Sequence, residues 1–207
     1  MRFAREPRIH PVAIAELRPT QITVGLGEVA EKRREWRAHP EGKKADFLGS
    51  HLIPVVLGPK GRFYVIDHHH LARALFDEGV VEIAVTVVSD LSGLEAEAFW
   101  VYLDNRAWMH LYDADGVRQD HKKLPKHVEG MVDDPFRSLA GALRRAGGYA
   151  KDTTPFSEFL WADFLRRRIK GKQASAQPDA ALVEAMRLAK LPEAGYLPGW
   201  CGPVVGE

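Results

Sequence analysis

Tyr64-Val65-Ile66-Asp67-His68-His69-His70-Leu71-Ala72-Arg73-Ala74-Leu75 changes its hydrophobic period at the histidines. Before them stand aromatic and β-branched residues in a continuous run, as in a strand. After them Leu71, Ala72, Ala74 and Leu75 recur at helical spacing, with Phe76 extending the pattern. The stretch therefore reads as strand, tight turn and helix. The first turn of a helix has backbone N–H groups with no partner in the helix, and a partial positive charge. It is a natural place for a phosphate or a carboxylate. Three adjacent imidazoles add donors that become cationic near neutral pH. Asp67 is placed to cap the helix, or to orient an imidazole or a metal-bound water. Consecutive helical residues point about 100° apart, so the three imidazoles cannot all face one ion. Asp67 and His70, three apart, share a helix face and form the candidate metal pair.

Working outward, Leu52 to Leu57 is a compact apolar run, Gly58-Pro59-Lys60-Gly61 a strong turn, and Arg62 to Ile66 a second strand. Together they predict a β-hairpin that delivers the chain to the histidines. Upstream, Val12 to Leu17 reads as a strand ended by Arg18-Pro19-Thr20. A helix is predicted over Glu28 to His39, with Val29, Lys32, Arg33 and Trp36 at helical spacing. Lys32 on that apolar side would point inward and reach an anion near the histidines, although Glu28 four residues earlier offers an ordinary ion pair. His51, just before the hairpin, could enter the same cleft. Downstream, Val80 to Val88 is a further strand. Gly93 to Asn105 is a helix, capped by Asp90 or Ser92, whose inward face would be Leu94, Ala98, Val101 and Tyr102.

The second half reads as helical. Asp134-Pro135 is an N-cap followed by proline, opening a helix to Arg145 that Gly147-Gly148 stops. Thr154-Pro155 repeats the device for a helix through Ile169. Gly171 to Gln177 is a polar linker, Pro178 to Lys190 a last helix, and Leu191 to Glu207 an irregular tail. Phe99, Trp100, Trp108, Phe156, Phe159, Trp161 and Phe164 read as packing residues. The expected architecture is a mixed α/β (α+β) domain over residues 1 to 110, with a helical C-terminal extension over residues 111 to 207.

Composition narrows the function classes. Lys plus Arg total 29 against 28 Asp plus Glu, a net charge of +1. A protein that lives on a nucleic-acid backbone usually carries a basic excess, so any such contact would need the local runs Lys122-Lys123 with Lys126, or Arg166-Arg167-Arg168 with Lys170. The single cysteine, Cys201, excludes a disulfide framework. No apolar run approaches the ~20 residues of a membrane span, and Met1 to Pro7 lacks the apolar core of a signal peptide. A cytoplasmic protein is expected, without membrane partners. No phosphate-binding P-loop, dinucleotide fingerprint or zinc spacing is present, and Gly25-Leu26-Gly27 is too short a match to count.

Together, Ile53-Pro54-Val55-Val56 and Tyr64 to Ala74 resemble the ParB-like nuclease family, a distant branch of the ParB/sulfiredoxin superfamily. Leu17 to Gly25 resembles the segment that opens the family's domain, and Glu28-Val29 with Lys32-Arg33 and Trp36 the helix that follows. Asp134 to Ala140 and Phe159 to Phe164 also look like that family, so the resemblance covers roughly residues 10 to 170. It implies a ParB/sulfiredoxin-like small mixed sheet with helices, in which the strand–turn–helix element holds nucleotide phosphates. Two departures stand out. Leu71 replaces the arginine expected after the last histidine, and His69 replaces the sulfiredoxin cysteine, which removes support for sulfinic-acid reduction. Asp104-Asn105-Arg106 loosely resembles the ParB Glu-Asn-x-x-Arg element. The resemblance thus implies His68, His69, His70, Gln21, Thr23, Asn105 and Arg106 as phosphate or nucleotide contacts. The residue reading makes Asp67, His69, His70 and Lys32 the catalytic candidates, and the resemblance implies a nucleotide (ATP or CTP), with Mg²⁺ or another divalent ion, as ligand. Two functions follow. One is an enzyme at a phosphate centre, either a nuclease or a nucleotide hydrolase or kinase. The other is a non-catalytic nucleotide- or DNA-binding module of partition type, and a homodimer is compatible with both.

Overall fold

The computed structural model describes residues 8–203. The segment read above as lacking a signal peptide, and the last four residues of the tail, lie outside it. The chain is α+β. The strands are β1 (Arg8–Ala13), β2 (Arg18–Pro19), β3 (Thr23–Val24), β4 (Ile53–Gly58), β5 (Arg62–Val65), β6 (Glu82–Asp90) and β7 (Val132–Asp133). The helices are α1 (Leu26–Ala38), α2 (Lys44–Ser50), α3 (His69–Asp77), α4 (Ala96–Asn105), α5 (Pro135–Arg145), α6 (Ser157–Arg166), α7 (Gly171–Ala176) and α8 (Pro178–Ala189). Two compact units alternate along the chain. Among the described residues, the first comprises residues 8–23, 29–113 and 118–132; the second comprises residues 24–28, 114–117 and 133–203.

The first unit is built on a five-stranded mixed sheet of order β1-β6-β4-β5-β2, while β3 and β7 pair separately. β4 lies at the centre, antiparallel to β5 and parallel to β6. Its Ile53, Val55 and Val56 are fully buried, which explains the unbroken apolar run. The predicted hairpin is present, with Val55 opposite Val65 and Gly58 opposite Arg62. Lys60 and Gly61 both take left-handed backbone in its turn. Gly58 is required for a different reason: a Cβ there would lie 2.5 Å from the Tyr64 ring and 2.8 Å from Phe99.

Several boundaries differ from the sequence reading. The strand expected at Val12 to Leu17 ends at Ala13; a 3₁₀ turn at Ile14–Glu16 follows, and Arg18–Pro19 joins the opposite edge beside β5. The helix expected from Gly93 starts at Ala96 with Glu95 as N-cap and no side-chain cap. Its buried residues are Phe99 and Leu103, and Val101 is 60% exposed. Phe99 packs on Tyr64 of β5 at 4.8 Å. That large ring pair fixes the helix's rotation over the smaller Ala98 and Val101.

The core of the second unit joins Phe136, Leu139 and Leu143 of α5 with Trp161, Phe164 and Leu165 of α6 and Ala185, Leu188 and Ala189 of α8. Asp134 caps α5 as expected, its Oδ1 accepting from the Phe136 N–H at 2.9 Å. The helix expected at Thr154-Pro155 opens instead at Ser157, because Asp152 Oδ1 accepts the Thr154 N–H and closes a separate turn. The expected linker at Gly171 to Gln177 is largely the short helix α7, anchored by buried Ala174. Its polar composition alone would not hold so short a helix. The tail is pinned as well: Trp200 Nε1 donates to the Ala189 carbonyl, and Leu197 is buried. Among the described residues no helix is long and apolar enough to cross a membrane.

Candidate functional site

The histidine turn sits where β5 ends and α3 begins. α3 starts at His69, and His68 is its N-cap with φ 62° and ψ 27°. Left-handed backbone is a conformation that glycine adopts without strain and histidine does not. Three bonds hold it. Asp67 Oδ1 accepts the His68 N–H at 2.7 Å, and His68 Nδ1 donates to the Leu52 carbonyl at 3.2 Å. The Ile66 N–H donates to the Pro54 carbonyl at 3.1 Å. Strained backbone over-determined by its surroundings is characteristic of functional sites.

The three imidazoles have different environments. His68 is exposed, and because its Nδ1–H is spent on a carbonyl, its neutral form carries the lone pair on Nε2. His69 is 6% exposed, and its Nε2 accepts the Thr20 backbone N–H at 3.2 Å. The Thr20 hydroxyl donates to the Val65 carbonyl at 2.7 Å, so the residue after β2 and the turn after β5 are latched together. His69 thus ties the start of α3 to the residue after β2. His70 is half-buried in the first turn of α3. The basis for a metal pair at Asp67 and His70 changes, because α3 begins after His68 and the two residues do not share a helix face. Among the described residues no group of three or more His, Cys, Asp or Glu is placed to hold a metal ion.

The remaining candidates scatter. Gln21 is buried next to the latch; its side-chain amide donates to the Thr23 carbonyl at 2.7 Å, and its backbone bridges to His110. The Thr23 hydroxyl is buried with no hydrogen-bond partner among the described residues. Lys32 does not point inward: it is 42% exposed and its ammonium meets Glu35 at 2.8 Å. Its expected partner Glu28 pairs instead with Arg145 at 2.6 Å. Asn105 donates to the Val101 carbonyl of its own helix, and the Arg106 guanidinium lies over Trp108. His51 stacks on Phe47 at 4.1 Å and has its Nδ1 on the Phe47 carbonyl. In the run Arg166 to Lys170, Arg166 binds Asp134 at 2.6 Å and Arg167 binds Asp163 at 2.8 Å. Arg168 lies 3.8 Å over the Phe164 ring. Gly25 and Gly27 are structural: a Cβ on Gly25 would lie 2.7 Å from Ser138 Oγ.

Thr20 is a residue beside the histidine turn that sequence reasoning missed. Its signal was weak, a polar residue ending a short extended segment, and only the sheet's β2–β5 pairing reveals its partner.

Residues 10–167 match the family described as Putative ParB-like nuclease. The chain belongs to that family. A solved structure, protein Atu1540 from Agrobacterium tumefaciens, is 54% identical, with a TM-score of 0.89 over 95% of this chain and 99% of that one. No curated protein matches. For this family member, the match spans the hairpin, the histidine turn and the Asp134-Pro135 helix start together.

Proposed function

We propose that this ParB-like protein is an enzyme that cleaves a phosphate ester, a nucleic-acid phosphodiester or a nucleotide phosphoryl group, at the histidine turn. The carrying observation is His68 itself: a histidine held in left-handed backbone at a helix start, its Nδ1 spent on Leu52, and its Nε2 presented at the surface as a base. In this reading the first-turn N–H groups of α3 and the His70 imidazole receive the phosphate oxygens. As a water oxygen bonds to phosphorus, its proton passes to His68 Nε2. The bond to the leaving oxygen breaks, and that oxygen takes a proton from His70 in its cationic form. His69 and Thr20 keep the turn in register.

The test begins with thermal-shift titrations against ATP, CTP, GTP and a short DNA duplex, each with and without Mg²⁺ or Mn²⁺. A ligand at about 100 times its Kd stabilises the folded state by about 2.7 kcal/mol. Product assays on whichever ligand binds should show turnover that falls roughly 100-fold or more in His68→Gly. No shift with any ligand, or turnover unchanged in His68→Gly, overturns the proposal.

A further inference from the structure

The second unit contains a buried knot of charge that none of the histidine-turn residues enters. Arg137 projects from α5, and its Nη2 donates to Glu158 in the first turn of α6. Arg144, at the far end of α5, approaches the same carboxylate with its Nε at 2.8 Å. Glu28, from the first turn of α1, meets Arg145 at 2.6 Å. Gly141 leaves the space that the Glu28 carboxylate occupies; a Cβ there would overlap it. Three guanidiniums therefore face two carboxylates, and the cluster carries one uncompensated positive charge. Tyr149 does not relieve it, because its hydroxyl donates to the Ala140 carbonyl, and burial together with Glu158 keeps the phenol protonated.

Arg137 bears the excess. Its side chain is 8% exposed, and its Nε and Nη1 are buried with no hydrogen-bond partner among the described residues. Phe159 covers the guanidinium face at 5.2 Å, so only the in-plane N–H directions remain. Buried donors without acceptors are rare because desolvation is uncompensated. An enclosed water would satisfy the N–H groups but not the charge. An oxyanion would satisfy both, through charge-assisted hydrogen bonds. The neighbouring side chains of Arg144 and Arg145, further along α5, are 32% and 44% exposed.

We propose that Arg137, with Arg144 and Arg145 at its rim, forms an oxyanion-binding site that accepts a carboxylate or phosphate group. The Glu158 carboxylate competes with that ligand for Arg137, so Glu158→Gln should tighten binding by about tenfold, the worth of one charge-assisted bond. A purely structural ion pair would lose stability on the same change and gain no ligand.

The experiment measures Tm in phosphate, in acetate and in chloride at matched ionic strength. All measurements are made in the His70→Ala background, which removes the imidazole that the histidine turn would offer to an anion. Phosphate or acetate should raise Tm above chloride, and whichever arm responds identifies the ligand class. The increment should grow in Glu158→Gln and vanish in Arg137→Lys, which keeps the charge but loses the planar fork. A second readout follows the Arg137 Nε–H resonance in ¹⁵N-arginine-labelled protein, which should shift and saturate with the same anion. Equal Tm in all three salts overturns the site, as does an increment that survives Arg137→Lys. An Nε–H resonance that does not respond overturns it too, and leaves the cluster to an enclosed water.

Discussion

Replacing His69 by alanine tests whether the latch between the end of β2 and the start of α3 positions the histidine turn. His69 is 6% exposed and Thr20 is 1% exposed, so water cannot substitute for the imidazole without opening the structure. The variant leaves the Thr20 N–H without its acceptor, a loss of about 1–3 kcal/mol. It also removes a buried ring, whose transfer and cavity terms add roughly 1–2 kcal/mol. The expected destabilisation is thus about 2–5 kcal/mol, read from urea unfolding followed by tryptophan fluorescence. His69→Gln separates the two terms, because an amide oxygen can reach the position of Nε2 and accept the same N–H. It should recover at least about 1 kcal/mol of the loss. If Ala costs less than about 1 kcal/mol, or if Gln is no better than Ala, the Thr20–His69 bond is not what holds the turn.

Other outcomes follow from the same geometry. His68→Gly should leave stability within about 1 kcal/mol of the parent in urea unfolding, because relief of left-handed backbone offsets the lost bond to Leu52; a larger loss would show that the imidazole is a structural strut. Ala107 ends α4 in left-handed backbone with φ 51°, whereas α3 and α5 end with Gly79 and Gly147. Ala107→Gly should therefore stabilise by about 0.5–1 kcal/mol, and a fall in Tm would contradict the strain. Asp134 is buried against Arg166, and desolvation raises its pKa above 3.8 despite that partner. A raised folded-state pKa means that the folded form holds the proton more tightly, so this contribution is full below about pH 3.8 and is lost as pH rises through the folded value. The stability of wild type minus that of Asp134→Asn should fall with rising pH above that point. A flat or rising difference would refute the burial argument.

Where one element's own chemistry was sufficient, the sequence was legible. The β4–β5 hairpin is set by an apolar run, a Gly-Pro-Lys-Gly turn and a second run, and the α5 start by Asp134-Pro135; both formed as read. Boundaries moved where a tertiary contact decided them. α4 rotated to seat Phe99 on Tyr64, and α7 formed in a stretch whose composition suggested a linker. Lys32 was misplaced because helical spacing ranks faces without knowing what covers them, and the available partner was Glu35.

The sequence by itself determined that three histidines stand at a strand-to-helix junction, because the change from strand to helical periodicity is written in consecutive residues. It could not assign them different roles. His68 is exposed with its tautomer fixed by Leu52, and His69 is buried against Thr20; both partners are sixteen or more residues away and arrive only through sheet pairing. Likewise, no pattern along the chain shows that Arg137, Arg144, Glu158 and Glu28 converge. Burial is a property of the assembled packing, and burial is what turns those ordinary surface residue types into a charged cluster.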